Sequence, residues 1–198
     1  RNSNAMKRIL STLLLTAVCG LGPTASALTP TDAENILFIK QEEKLARDVY
    51  QFLYATWGHV TFQNIALSEQ RHMDAVDGLI ARYRLEDKTP AELGKFTIPE
   101  LQALYDQLVV AGSQSLAEAL AVGVLIEETD IADLQEMLKT TRETPIRRVL
   151  TNLLNGSRNH LSAFSNALAQ LTATTATPTV SAGGGGPQAP APGRSGRR

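Results

Sequence analysis

Cysteine is almost missing from this chain of 198 residues: there is one, Cys19, inside an apolar run near the N-terminus. Beyond residue 27 there is none, which excludes disulfides, a thiolate nucleophile and cysteine-ligated zinc or iron–sulfur sites from that part. A metal there would have to be held by Asp, Glu and His. Histidine is scarce as well, with only His59, His72 and His160. Neither sign of charge dominates: the formal net charge is -1, so nothing marks a surface for nucleic acid or an anionic membrane. No apolar run reaches the roughly 20 residues that a membrane-spanning helix needs, and no repeat of solenoid period is visible.

What is present, 43% hydrophobic and 20% charged residues, suits one soluble globular domain with tails. Lys7-Arg8, the apolar run Ile9 to Val18 and the small-residue stretch Ala25-Ser26-Ala27 have the order of a secretory signal, with Met6 as initiator and cleavage after Ala27. Val18, directly before Cys19, argues against a lipoprotein. The expectation is a signal peptide over 1–27 and a periplasmic or secreted protein. Losing that segment leaves 16 basic against 20 acidic side chains, a mildly acidic product.

Helical patterning fills 28–173. Thr31 and Glu34 are spaced as a capping box for a first helix that reaches about Thr56 and stops before Gly58, with Ile36, Ile39, Ala46, Tyr50 and Leu53 on its apolar face. Glu43 falls in the middle of that face, and Glu42 toward its edge. A second helix is expected from Thr61 to Tyr83, with Ile65, Val76, Leu79 and Tyr83 inward and Glu69 and His72 among them. A long connection, 84–114, contains a short helix from Pro99 to Val110. Ser115 and Glu118 cap a third long helix to about Lys139, with the stripe Leu116, Leu120, Val124, Ile131, Leu134 and Leu138 interrupted by Glu127. Thr144-Pro145 starts a fourth, with Ile146, Leu150, Leu153, Leu161, Phe164 and Leu168 inward and His160 beside them. From about Thr172 the pattern ends in Thr/Ala repeats, four glycines and a Pro/Ala stretch, and 174–198 is expected to be a disordered tail.

The polar residues on the inward stripes form a set: Glu43 on the first helix, Glu69 and His72 on the second, Glu127 on the third, His160 on the fourth. A lone Glu beside a stripe is usually a snorkelling surface residue, and a lone His a hydrogen-bonded core residue. Several carboxylates and two imidazoles at one height of four helices are different, because burying unpaired carboxylates costs several kcal/mol each or forces protonation. One or two divalent cations would supply the common counter-charge. His59, next to Gly58 in a turn, reads as structural. Tyr50, on the stripe of Glu43, is a candidate hydrogen-bond donor or radical relay, or a plain core tyrosine.

A Glu from each of two helices with Glu-x-x-His from each of the other two is the ligand spacing of di-iron and di-manganese carboxylate bundles. Through Glu42-Glu43-Lys44-Leu45-Ala46-Arg47-Asp48-Val49-Tyr50, Glu69 to His72, Ile126 to Asp130 and Gly156-Ser157-Arg158-Asn159-His160, the chain resembles the ferritin-like superfamily over about 30–170. Within it the likeness is to the rubrerythrin-like branch and the DUF2202 proteins. The resemblance implies an all-α, antiparallel four-helix bundle with a long crossover between its second and third long helices. It also implies iron or manganese on Glu43, Glu69, His72, Glu127 and His160, and reaction with dioxygen or peroxide or oxidation of ferrous iron. Ser157 departs from it, standing where the fourth helix should carry a glutamate; Asp130 is the weaker candidate to substitute. Rubrerythrins proper carry a four-cysteine iron domain that this sequence lacks, so a reductant would come from elsewhere. Iron binding without turnover and a metal-free helical interaction module are the alternatives, and a homodimer stays open.

Overall fold

The computed structural model describes residues 28–176. The expected signal segment, 1–27, and residues 177–198 of the expected tail lie outside the described residues. Five helices and no strand occur among the described residues: α1 (Pro30–Trp57), α2 (Val60–Tyr83), α3 (Pro99–Gly112), α4 (Leu116–Thr140) and α5 (Thr144–Ala176). The last helix carries on past Thr172, where the inward periodicity stops.

Local chemistry sets the ends. α1 is capped by Thr29, whose hydroxyl accepts from the Asp32 amide at 3.0 Å and donates to the Asp32 carboxylate at 2.7 Å. This cap lies two residues before the Thr31/Glu34 pair expected from sequence. Pro30 explains the shift, since a proline suits the first helical position, where an amide hydrogen would have no partner. Gly58 ends the helix at φ 65°, the left-handed conformation that glycine adopts at low cost. α4 begins as its spacing predicts, with the Ser115 hydroxyl accepting from the Glu118 amide at 3.1 Å.

α1 and α2 pair as one hairpin, α4 and α5 as another, and the hairpins meet with α1 on α4 and α2 on α5. One core cluster gathers Ile36, Ile39, Val76, Leu79, Leu134, Met137, Ile146 and Leu150. The other gathers Tyr50, Leu53, Phe62, Ala119, Leu120 and Phe164 with Leu101 and Leu108 of α3. Phe164 packs 4.9 Å from the Tyr50 ring and 5.5 Å from that of Phe62, and burying each such ring contributes about 1.5–3 kcal/mol. The stripe on α4 is rotated from the expected one. Leu116, Val124, Ile131 and Leu138 are only half-buried, while Ala119, Gly123, Ile126 and Met137 turn inward. Gly123 sets this rotation, because a Cβ there would meet the Phe164 ring at 2.6 Å.

Between residues 39 and 50 of α1, every side chain except Arg47 is buried, six polar ones included: Lys40, Gln41, Glu42, Glu43, Lys44 and Asp48. Two neighbouring helices alone would leave one side of α1 wet; the segment after α2 and then α3 cover it. Lys44 pairs with Asp48 and donates to the carbonyls of Glu92 (2.8 Å) and Lys95 (3.2 Å). The Gly94 amide donates to Asp48 at 2.8 Å, and Gln41 exchanges two hydrogen bonds with Thr97. The connection is thus tied along α1 by charged hydrogen bonds, the strong class. No helix among the described residues is long and apolar enough to cross a membrane.

Candidate metal centre

The two core clusters leave a polar layer between them at mid-bundle, and Glu69 is its hub. Its Oε2 lies 2.7 Å from Nδ1 of His72, one turn along α2, and its Oε1 lies 2.8 Å from Nδ1 of His160 on α5. Nδ1 of His72 is also 3.1 Å from Glu43 Oε2 on α1, and Nδ1 of His160 is 3.6 Å from Glu127 Oε2 on α4. The two imidazoles stack with centroids 5.3 Å apart. Of the five inward residues expected from the sequence, His72 and His160 therefore meet the Glu69 carboxylate directly, and Glu43 and Glu127 reach it through them. Glu69, His72 and His160 offer ligand atoms that all lie within 4.8 Å of one another.

The remaining expected residues surround this hub. Tyr50, fully buried, donates to Glu127 Oε1 at 2.6 Å. Asp130, one turn after Glu127, lies 2.5 Å from the Ser157 hydroxyl, whose single proton is shared between that carboxyl and the Leu153 carbonyl 2.9 Å away. Ser157 thus positions an acid from the neighbouring helix. Three features escaped sequence reasoning. Glu42 is 6% exposed rather than at an edge, because α3 and α4 close over it. Asp133 continues the 127, 130, 133 spacing on α4, a visible i, i+3 series. Gly156 makes room for His72, whose Nε2 would lie 2.4 Å from a Cβ at that position.

The electrostatics follow from crowding acids around two bases. Burial alone would push the Glu69 carboxyl up, but His160 and His72 against it hold it down at about 2. Burial opposes charge on the imidazoles, yet Glu43 and Glu69 hold His72 up at about 11, and Glu127 and Glu69 hold His160 up at about 9. The other acids go the opposite way. Burial, then the Glu69 charge, raises Glu127 to about 8. Burial raises Asp130 to about 7 against the Ser157 hydrogen bond. Glu43 is pushed well up by burial and by Asp130, and Tyr50 by burial and by Glu127. Protons on the raised acids and on the two imidazoles offset the crowded negative charge. Glu43 Oε1 and Asp130 Oδ1 remain buried without a hydrogen-bond partner, the condition that a cation relieves.

Residues 32–181 match the family described as an uncharacterized protein domain, DUF2202. The chain belongs to the DUF2202 family. All six candidate ligands of this DUF2202 chain lie within the matched span. It is 44% identical over 138 residues to the uncharacterized protein MJ0754 of Methanocaldococcus jannaschii, covering 69% of this chain and 75% of that protein. The crystal structure of the hypothetical protein MJ0754 from Methanococcus jannaschii aligns with a TM-score of 0.72 at 39% identity, over 82% of this chain and 87% of that one. A DUF305 fragment from Deinococcus radiodurans shares the helical fold alone, with a TM-score of 0.53 at 15% identity over 72% and 98% of the two chains.

Proposed function

We propose that this DUF2202 protein is an exported metal-binding protein of the ferritin-like, rubrerythrin-like kind. It holds one or two iron or manganese ions and acts on dioxygen or peroxide. The observation that carries the reading is the buried Glu69 carboxylate lying between two imidazole Nδ1 atoms at 2.7 and 2.8 Å, with Glu43 and Glu127 beyond them. The residues fit the group: oxygen and imidazole donors suit iron and manganese, and the unpartnered oxygens of Glu43 and Asp130 are free to bind. The packing of α1 on α4 and of α2 on α5, with a 32-residue interval (84–115) between the hairpins, supports a ferritin-like crossover.

In this reading Glu43, Glu69, His72, Glu127 and His160 would hold the metal, and Asp130, held in place by Ser157, would stand in for the absent fourth-helix glutamate. Tyr50 orients Glu127 through its hydrogen bond. Phe62 and Phe164 keep water from that end. The bound metal would supply the redox chemistry toward dioxygen or peroxide.

The test is consumption of dioxygen or hydrogen peroxide by chain loaded anaerobically with Fe(II) or Mn(II), with an added reductant. Repeated turnover above the metal-free chain is the expected result. Metal uptake without consumption would reduce the function to iron or manganese binding.

A further inference from the structure

Glu42 is the buried acid that this ligand set leaves unused. It is 6% exposed, and neither of its carboxylate oxygens has a hydrogen-bond partner. Asp133, a half-buried residue of α4, is a neighbouring acid one turn beyond Thr129, which lines the same small cavity as Glu42. Two carboxyl groups can face each other in an interior only with a proton or a cation between them. The buried cations of α1 are committed elsewhere: Lys40 to Asp77 at 2.5 Å and Lys44 to Asp48. The other side of Glu42 is a small apolar cavity under Leu101, Leu104 and Leu108 of α3, which offers no counter-charge. Inward of Glu42, Asp130 Oδ1 and Glu43 Oε1 are also without partners. Acidic side chains therefore run from half-buried Asp133 through Glu42, whose oxygens lack donors, to Glu43 and Asp130 at the edge of the centre. Among the described residues only Glu69, His72 and His160 bring three ligand atoms within 4.8 Å of one another, so the Glu42–Asp133 pair suits transit rather than residence.

We propose that Asp133 and Glu42 form an entry port through which a divalent cation reaches the Glu69 centre. The port rests on the metal-binding reading above and adds a route to it. Metal-free full-length chain is mixed rapidly with cobalt(II), and loading is followed by the visible absorbance of bound cobalt. Equilibrium stoichiometry is measured in parallel by metal analysis. Glu42→Gln and Asp133→Asn together should slow loading about tenfold or more, the scale on which local charge sets on-rates, with unchanged final stoichiometry. Glu128→Gln, an exposed acid on the same helix, should leave the rate unchanged. A double variant that loads at the wild-type rate overturns the port, as does one that loses a bound equivalent without slowing. Wild-type chain that takes up no cobalt overturns the centre and the port together.

Discussion

At Gly156 a methyl group would stand 2.4 Å from Nε2 of His72, a separation that neither ring nor helix can tolerate without moving. The ring is held on its other edge by Glu43 and Glu69, so displacement breaks the alignment of both. Gly156→Ala is expected to keep the helix and to weaken cobalt(II) or manganese(II) affinity by about 10- to 100-fold, the usual effect of disturbing the residues that orient a ligand. Calorimetric titration measures it, and wild-type affinity would show that His72 is not a ligand in this pose. Glu43, Glu69, His72, Glu127 and His160 were legible in the sequence because polar residues on an apolar stripe are conspicuous. Gly156 was not, since its role is an absence of side chain that only the facing imidazole reveals.

Among the elements, α1 carries the most buried polar side chains, and its pair Lys44–Asp48 shows what periodicity conceals. An i, i+4 Lys and Asp reads as a solvent-facing pair, yet these side chains are 1% and 0% exposed, because residues 92–97 fold over them. Removing one partner of a buried pair costs about 3–5 kcal/mol. Lys44→Ala is expected to lower stability by that amount and to speed amide exchange at Gly94, whose amide is held by Asp48. Denaturant unfolding with hydrogen exchange measures both, and an unchanged midpoint would contradict the role given to the pair. Helix limits were legible to within a few residues from caps and prolines. The cap of α1, the rotated face of α4 and the burial of Glu42 were not, because each depends on which neighbour packs where: Gly123 admits Phe164, and α3 covers a side of α1 that a single stripe leaves open.

For the whole molecule, the metal-free centre should make stability fall as pH rises. Glu127 (about 8) and Asp130 (about 7) have folded values above their ordinary ones, so the folded chain binds more protons than the unfolded one from about pH 4 upward. His72 and His160, at about 11 and 9, add stability that is complete below about pH 6.5 and lost as pH rises through those values. Glu69 alone acts oppositely: its contribution, present above about pH 4.5, is lost as pH falls through about 2. Metal-free chain is therefore expected to melt roughly 5–10 °C lower at pH 9 than at pH 5. The metal-loaded chain should reverse that loss, since bound cations replace the protons and affinity grows as the ligands deprotonate. A melting temperature of the metal-free chain that rises over this range would contradict the charge arrangement. Most direct is the metal retained after anaerobic loading with Fe(II) or Mn(II) and desalting, measured beside far-ultraviolet circular dichroism. The wild type is expected to keep about one to two ions per chain, and Glu69→Ala with His72→Ala to keep none at undiminished helicity. Retention by the double variant at the wild-type level would contradict the proposed centre.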